Sequence, residues 1–179
     1  RLYAQVEREP EVLTVSAEGK GTESRFMDAL GFDASISPDG NKVAFVRGTA
    51  RTSREDYRGP ANRNIWIYDI KANSYEQLTD HAGADFMPKW IDNETIYFVS
   101  PRSGKYNVHS STLKGRMQQI TSETEFGINT FSSTVKGDVI VYQAGDKVVS
   151  LNVQTGNATT INIDVKSDVR FDPVVAKKV

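Results

Sequence analysis

Short apolar runs, each four residues long and set off by polar turn residues, recur along this chain. Val43-Ala-Phe-Val46, Ile96-Tyr-Phe-Val99 and Val139-Ile-Val-Tyr142 are flanked by Gly, Asn or Asp and are rich in β-branched and aromatic residues. That combination predicts strands rather than turns of a buried helix. A run without polar alternation suits a strand covered on both faces, so the sheets are expected to stack. Each run is followed by another strand-like segment: Asn64-Ile-Trp-Ile-Tyr-Asp69, Lys105-Tyr-Asn-Val-His-Ser110 and Lys147-Val-Val-Ser-Leu-Asn152, at offsets of 41 and 42 residues. Gln77-Leu-Thr79, Gln119-Ile-Thr121 and Thr160-Ile-Asn162 come next at similar spacing. A period of about 42 residues holding four short strands is the signature of a β-propeller.

The predicted fold class is therefore all-β, a propeller segment of four-stranded antiparallel blades, with about three full blades and partial blades at both ends. The blades are expected at 32–79, 80–121 and 122–164, with 1–31 ending a preceding blade and 165–179 beginning a next one. In the first full blade, Phe32 to Ser37 leads through Pro38-Asp-Gly40, where Pro presets φ and Gly can take a positive φ, into Lys42 to Val46. Leu2 to Val6, Glu11 to Ser16 and Ser24 to Met27 read as strands of the earlier blade, and Val169 to Val174 as the first strand of a later one. The sequence starts with Arg1 and carries incomplete blades, which is the expectation for a piece of a larger protein. Apolar sheet faces left open at the ends predict self-association of such a piece.

The repeat is broken once. Between Val46 and Ile65 lie 18 residues, whereas 6 separate Val99 from Tyr106 in the next repeat. The insertion, residues 48–63, reads GTARTSREDYRGPANR and carries Arg51, Arg54, Arg58 and Arg63 against Glu55 and Asp56. Antiparallel order puts this second-to-third-strand loop on the same edge as the linkers 80–85 and 122–127. Loops on a rigid scaffold are where binding residues concentrate. Arg54, Tyr57, Arg58 and His81 are accordingly the candidates for peptide or domain contact. A solvated loop whose Tyr lies on the blade, with arginines bonded to Glu55, Asp56 or carbonyls, accounts for the same residues.

Composition narrows the chemistry. A net charge of −1, with bases spread among acids, gives no groove for nucleic acid and no attraction to anionic membrane. No apolar run approaches the roughly 20 residues that a membrane-spanning helix needs. Absence of Cys excludes disulfides and thiolate metal sites but leaves the compartment of a soluble protein open between cytoplasm and periplasm. His81 and His109 are the two histidines; neither has HExxH spacing, so no metal or other cofactor is expected. No GxSxG elbow is present, and Gly19-Lys-Gly21 lacks phosphate-loop spacing, so no catalytic residues are assigned. Asn93-Glu-Thr95 and Asn157-Ala-Thr159 match the glycosylation tripeptide, which carries weight only in a secreted protein.

The run Asp56-Tyr-Arg-Gly59, Asn64 to Asp69, Gln77-Leu-Thr-Asp80, Met87-Pro-Lys-Trp90 and Thr95 to Ser100 resembles the N-terminal six-bladed propeller of the tricorn proteases. The likeness continues through Tyr106-Asn-Val-His109, Gly115, Gln119-Ile-Thr121 and Val148 to Asn152, covering about residues 32–164. The Ser37-Pro-Asp-Gly40 turn is shared with Tol-associated and prolyl-oligopeptidase-like propellers; the Tyr-Arg-Gly insertion before Ile-Trp-Ile favours the tricorn resemblance. That resemblance implies a noncatalytic part of a large serine peptidase, one that filters peptides and scaffolds the catalytic domains. Its implied partners are the remaining propeller and peptidase domains of the same parent and peptides, within a larger oligomer. The alternative is a Tol-associated type of interaction module without peptidase activity, and a third is the propeller of a carbohydrate-active or prolyl-oligopeptidase-like enzyme.

Overall fold

The computed structural model describes residues 10–55 and 57–164. The expected strands at Leu2–Val6 and Val169–Val174, and the whole of 165–179, lie outside the described residues. Fourteen strands follow one another among those described. A short ladder, β1 (Leu13–Thr14) with β2 (Ser24–Arg25), precedes three four-stranded antiparallel sheets. The first sheet is β3 (Phe32–Ile36), β4 (Lys42–Arg47), β5 (Asn64–Asp69) and β6 (Ser74–Gln77). The second is β7 (Phe86–Trp90), β8 (Thr95–Ser100), β9 (Asn107–Thr112) and β10 (Met117–Gln119). The third is β11 (Ile128–Ser133), β12 (Val139–Ala144), β13 (Lys147–Asn152) and β14 (Ala158–Ile161). Strands pair in chain order within each sheet, the meander of a propeller blade.

Cross-strand register corrects one expectation. Arg47 pairs with Asn64, Ser100 with Asn107 and Ala144 with Lys147, so the repeat-equivalent of Asn64 is Asn107, two residues beyond Lys105. A two-residue slip leaves every side chain on its original face, so the apolar pattern is blind to it. Lys105 and Tyr106 belong instead to the turn entering β9.

Sheets stack through alternate faces of their second strands. Val43 and Phe45 point back onto Met27 and Tyr68, with Val12 and Phe26 alongside, so the N-terminal segment covers the outer face of the first blade. Ala44, Ile65 and Ile67 point forward onto Trp90, Ile96 and Phe98 of the second blade. Tyr97, Val99 and Val108 of the second blade meet Ile140, Tyr142, Val149 and Leu151 of the third. The apolar runs in β4 and β8 are thus buried throughout, as the sequence predicts. The run in β12 is not: Ile140 and Tyr142 are buried, whereas Val139 and Val141 are half-exposed. Among the described residues no further blade lies on that face, and alternation returns.

Polar bonds mark the seams. Asp33, at φ 55°, accepts the Met87 N–H through Oδ2 at 2.8 Å, and the Trp90 indole donates to the Ser35 carbonyl at 2.9 Å. Between second and third blades, the Tyr97 hydroxyl donates to the Gly137 carbonyl at 3.1 Å and that of Tyr142 to Glu123 at 2.7 Å.

Candidate functional site

The insertion between β4 and β5 folds back on itself as a built loop. The Thr49 and Ala50 N–H groups both donate to the Ala61 carbonyl, and tight turns close at Arg51–Arg54, Arg54–Tyr57 and Gly59–Asn62. Gly48 opens it at φ 120°, where a Cβ would lie 2.0 Å from the Asn62 carbonyl oxygen; only glycine fits. Arg63 closes it, donating from Nε to the Ala50 carbonyl at 2.6 Å while its guanidinium lies 4.9 Å from the Phe32 ring centre. Burial lowers the Arg63 pKa from its ordinary value.

From this base the loop leans across the second blade. Glu55 accepts the Tyr106 N–H through Oε1 and the Lys105 ammonium through Oε2, both at 3.2 Å. Its carboxylate also fills the space beside Gly127, where a Cβ would lie 2.0 Å from Oε1. One acid of the first blade's loop is therefore wedged between the second blade and the linker into the third. The Asn62 amide donates to the Ala82 carbonyl, and the Asp85 N–H donates to the Arg63 carbonyl at 2.8 Å, tying the first linker to the same loop.

The four residues singled out from sequence form two pairs on this edge. The Arg54 guanidinium lies 4.9 Å from the Tyr57 ring centre, with Arg54 exposed and Tyr57 half-buried. The Tyr57 hydroxyl accepts the Ala61 N–H at 3.4 Å. Arg58 donates to the Glu55 and Tyr57 carbonyls at 2.8 and 3.0 Å, and His81 accepts the Gly83 N–H on Nδ1 at 2.8 Å. Arg58 and His81 converge on Gly83, where a Cβ would meet His81 Nδ1 at 3.1 Å and Arg58 Nη1 at 3.2 Å. Arg58 and Arg63 use backbone carbonyls, while Glu55 takes Lys105 as its ion partner instead of an arginine.

Beneath the loop lies polar machinery that the sequence pattern did not reveal. Asp85 is fully buried; its Oδ2 pairs with Arg102 Nη2 at 2.8 Å, and Arg102 also bonds Ser100 and lies 5.2 Å from the Phe98 ring centre. Burial raises the Asp85 carboxyl above its ordinary range, against the pull of Arg102. His109 is buried with its ring centre 6.2 Å from that of Phe98 and its Nδ1 3.1 Å from the Asn107 carbonyl, and burial lowers its pKa to about 4. Tyr106 is 3% exposed, and burial followed by the Glu55 charge raises its phenol pKa. The available signal for Asp85 was a lone acid in the apolar stretch Gly83-Ala-Asp-Phe86, a position where a charge must find a partner.

Four buried side-chain oxygens among the described residues have no hydrogen-bond partner: Asn62 Oδ1, Asn64 Oδ1, Asp85 Oδ1 and the Tyr106 hydroxyl. All four sit in or under the insertion edge. Two cavities flank the loop. One of about 440 Å³ separates Arg54, Glu55 and Tyr57 from Tyr106 and Asn129, and one of about 380 Å³ lies on the side of Pro10, Arg47 and Trp66.

Stacked four-stranded antiparallel blades, with a long loop and the interblade linkers gathered on one edge, define a β-propeller protein. The chain belongs to the family of the tricorn protease N-terminal beta propeller domain, whose model matches residues 3–157. It is 25% identical over 134 residues to the Tol-Pal system protein TolB of Wolinella succinogenes, covering 74% of this chain and 29% of that protein. It is 26% identical over 113 residues to the tricorn protease homolog of Saccharolobus solfataricus, covering 63% of this chain and 10% of that protein. The crystal structure of the tricorn protease superposes with a TM-score of 0.62 at 23% identity, over 75% of this chain and 13% of that one. The chain thus spans less than a third of either curated relative.

Proposed function

We propose that this chain is the noncatalytic propeller portion of a tricorn-like serine peptidase, restricting peptide access and scaffolding the domains that cleave. The concentration of unpartnered buried oxygens at the insertion edge carries this reading. Buried polar groups are nearly always satisfied, so four exceptions on one edge call for an explanation, and a ligand or companion domain that completes their bonding supplies one. The exposed Arg54, the Arg54–Tyr57 stack and the Arg58–His81 pair place cationic and aromatic groups at the mouth of the 440 Å³ cavity or beside it. Such groups suit extended peptides or the surface of a companion domain. The partition of the chain into blades at 32–79, 80–121 and 122–164 belongs to the same proposal.

The test is incubation of the purified chain with a pool of unstructured peptides, following both binding and cleavage. Peptides retained and recovered intact support an access module. Cleavage above buffer background overturns the noncatalytic assignment. A parent reading frame with no peptidase domain would turn the reading toward an interaction module of the Tol-associated type.

A further inference from the structure

The second cavity, on the other side of the insertion, has a chemistry of its own. Its wall includes Asn62 and Asn64, whose carbonyl oxygens are both buried without a donor. The repeat shows how unusual this is for Asn64. Its equivalent in the second blade, Asn107, uses every valence: Oδ1 accepts the Thr121 hydroxyl at 2.8 Å and the Glu123 N–H at 2.7 Å, while Nδ2 donates to Ser103, Lys105 and Glu123. Asn107 staples its blade to the outgoing linker. In the first blade the neighbouring bonds survive, since Thr79 Oγ1 accepts the Ile65 N–H as Thr121 Oγ1 accepts that of Val108, yet the Asn64 oxygen is left over. The linker that would have supplied its donors is held by the insertion, through Asn62 on Ala82 and Arg63 on Asp85.

From this juxtaposition we propose that the cavity bounded by Asn62, Asn64, Arg47 and Trp66 is a binding site for a neutral saccharide. Its volume of about 380 Å³ falls within the roughly 300–1,000 Å³ typical of small-molecule sites. Two orphaned acceptors call for a ligand rich in donors, which excludes a simple anion. Among the described residues no carboxylate lines the cavity and Arg47 does, which disfavours an ammonium. The walls come from Phe32 of β3, Arg47 of β4, the insertion, Asn64 and Trp66 of β5 and Gln77 of β6. A vicinal diol fits this set: one hydroxyl donates to the Asn64 oxygen while its neighbour accepts from the Arg47 guanidinium. That guanidinium is held 4.9 Å from the Trp66 ring centre, which fixes its donors at the cavity. The terminal torsion of an Asn side chain is broad, so a rotation of the Asn64 amide brings its oxygen onto the cavity, while Asn62 stays bonded to Ala82.

The test titrates the full chain with a panel of neutral hexoses, pentoses, N-acetylhexosamines and their disaccharides, recording ¹H–¹⁵N spectra. Binding is expected to move the Trp66 indole and the Asn62 and Asn64 side-chain amide signals and to leave the buried Trp90 indole in place. Asn64→Ala, which removes no hydrogen bond of Oδ1, should weaken binding by about fivefold. Arg47→Ala, at an exposed side chain, should weaken it similarly and keeps the test decisive if the first variant fails to fold. No shift with any sugar of the panel, or binding unchanged in Arg47→Ala, overturns the proposal. Loss of peptide binding in the assay above leaves this site untouched, because that assay probes the Arg54 side of the loop.

Discussion

The second and third blades are built from the same strand pattern and differ in what surrounds them. In the second, Ile96 and Phe98 face the first blade, Tyr97 and Val99 face the third, and β8 and β9 are almost wholly buried. In the third, Ile140 and Tyr142 find a neighbour, while Val139 and Val141 are half-exposed and β14 is exposed along its length. Burial in a repeat array is conferred by the neighbour on each side, not by the run of apolar residues itself. The polar staples differ in the same sense: Asn107 in the second blade is fully bonded, and Lys147 occupies its register position in the third.

The largest expected effect is on core truncation. Phe98→Ala should cost about 3–5 kcal/mol in urea unfolding, while Val141→Ala should cost less than about 1 kcal/mol. Equal costs would mean that the forward face of the third blade is covered after all. Next comes acidity. His109 titrates at about 4 when folded against about 6.5 when unfolded, so the unfolded chain binds the proton first as pH falls. Its stabilising contribution is therefore full above pH 6.5 and is lost on acidification toward pH 4, by up to about 3 kcal/mol. Asp85, whose carboxyl is raised, acts in the opposite direction, so the informative quantity is the difference between wild type and His109→Gln across pH 7.5 to 4.5. A variant as acid-sensitive as wild type would remove His109 from the account.

Smaller effects sharpen the staple comparison. Asn107→Ala removes the acceptor of the Thr121 hydroxyl and the Glu123 N–H and should cost about 2–3 kcal/mol, whereas Asn64→Ala should stay within about 1 kcal/mol. Comparable losses at the two sites would show that Asn64 is bonded in solution. Glu55→Gln removes one charge from the clasp between loop and second blade and, with Lys105 41% exposed, should cost only about 0.5 kcal/mol. Hydrogen exchange at the Tyr106 amide, which donates to Glu55, is the sensitive readout of that change.

Most of the architecture was readable in the residues. The apolar runs with β-branched content announced strands, their spacing announced blades, and the extra residues 48–63 announced the loop. Legibility ended where pattern has no purchase. A two-residue register shift preserves facing, so the pairing of Asn64 with Asn107 stayed hidden behind Lys105. Half-exposure of Val141 depends on a neighbour, which no local composition encodes. Arg54, Tyr57, Arg58 and His81 were placed on one edge by strand direction alone, but their division into two pairs depends on turns inside the loop. Asp85, Arg102, Tyr106 and the two orphaned Asn oxygens come together only in the folded chain, where a buried polar group is recognised by what it lacks.

The most direct test of the functional account replaces residues 48–63 with a two-residue Asn-Gly turn, the short hairpin link that suits antiparallel neighbours. Affinity of the chain for the unstructured peptide pool is then compared with and without the loop, after confirming that the blades still unfold cooperatively. The account predicts a loss of at least about tenfold in peptide affinity. Unchanged affinity in a folded, loop-deleted chain would contradict it.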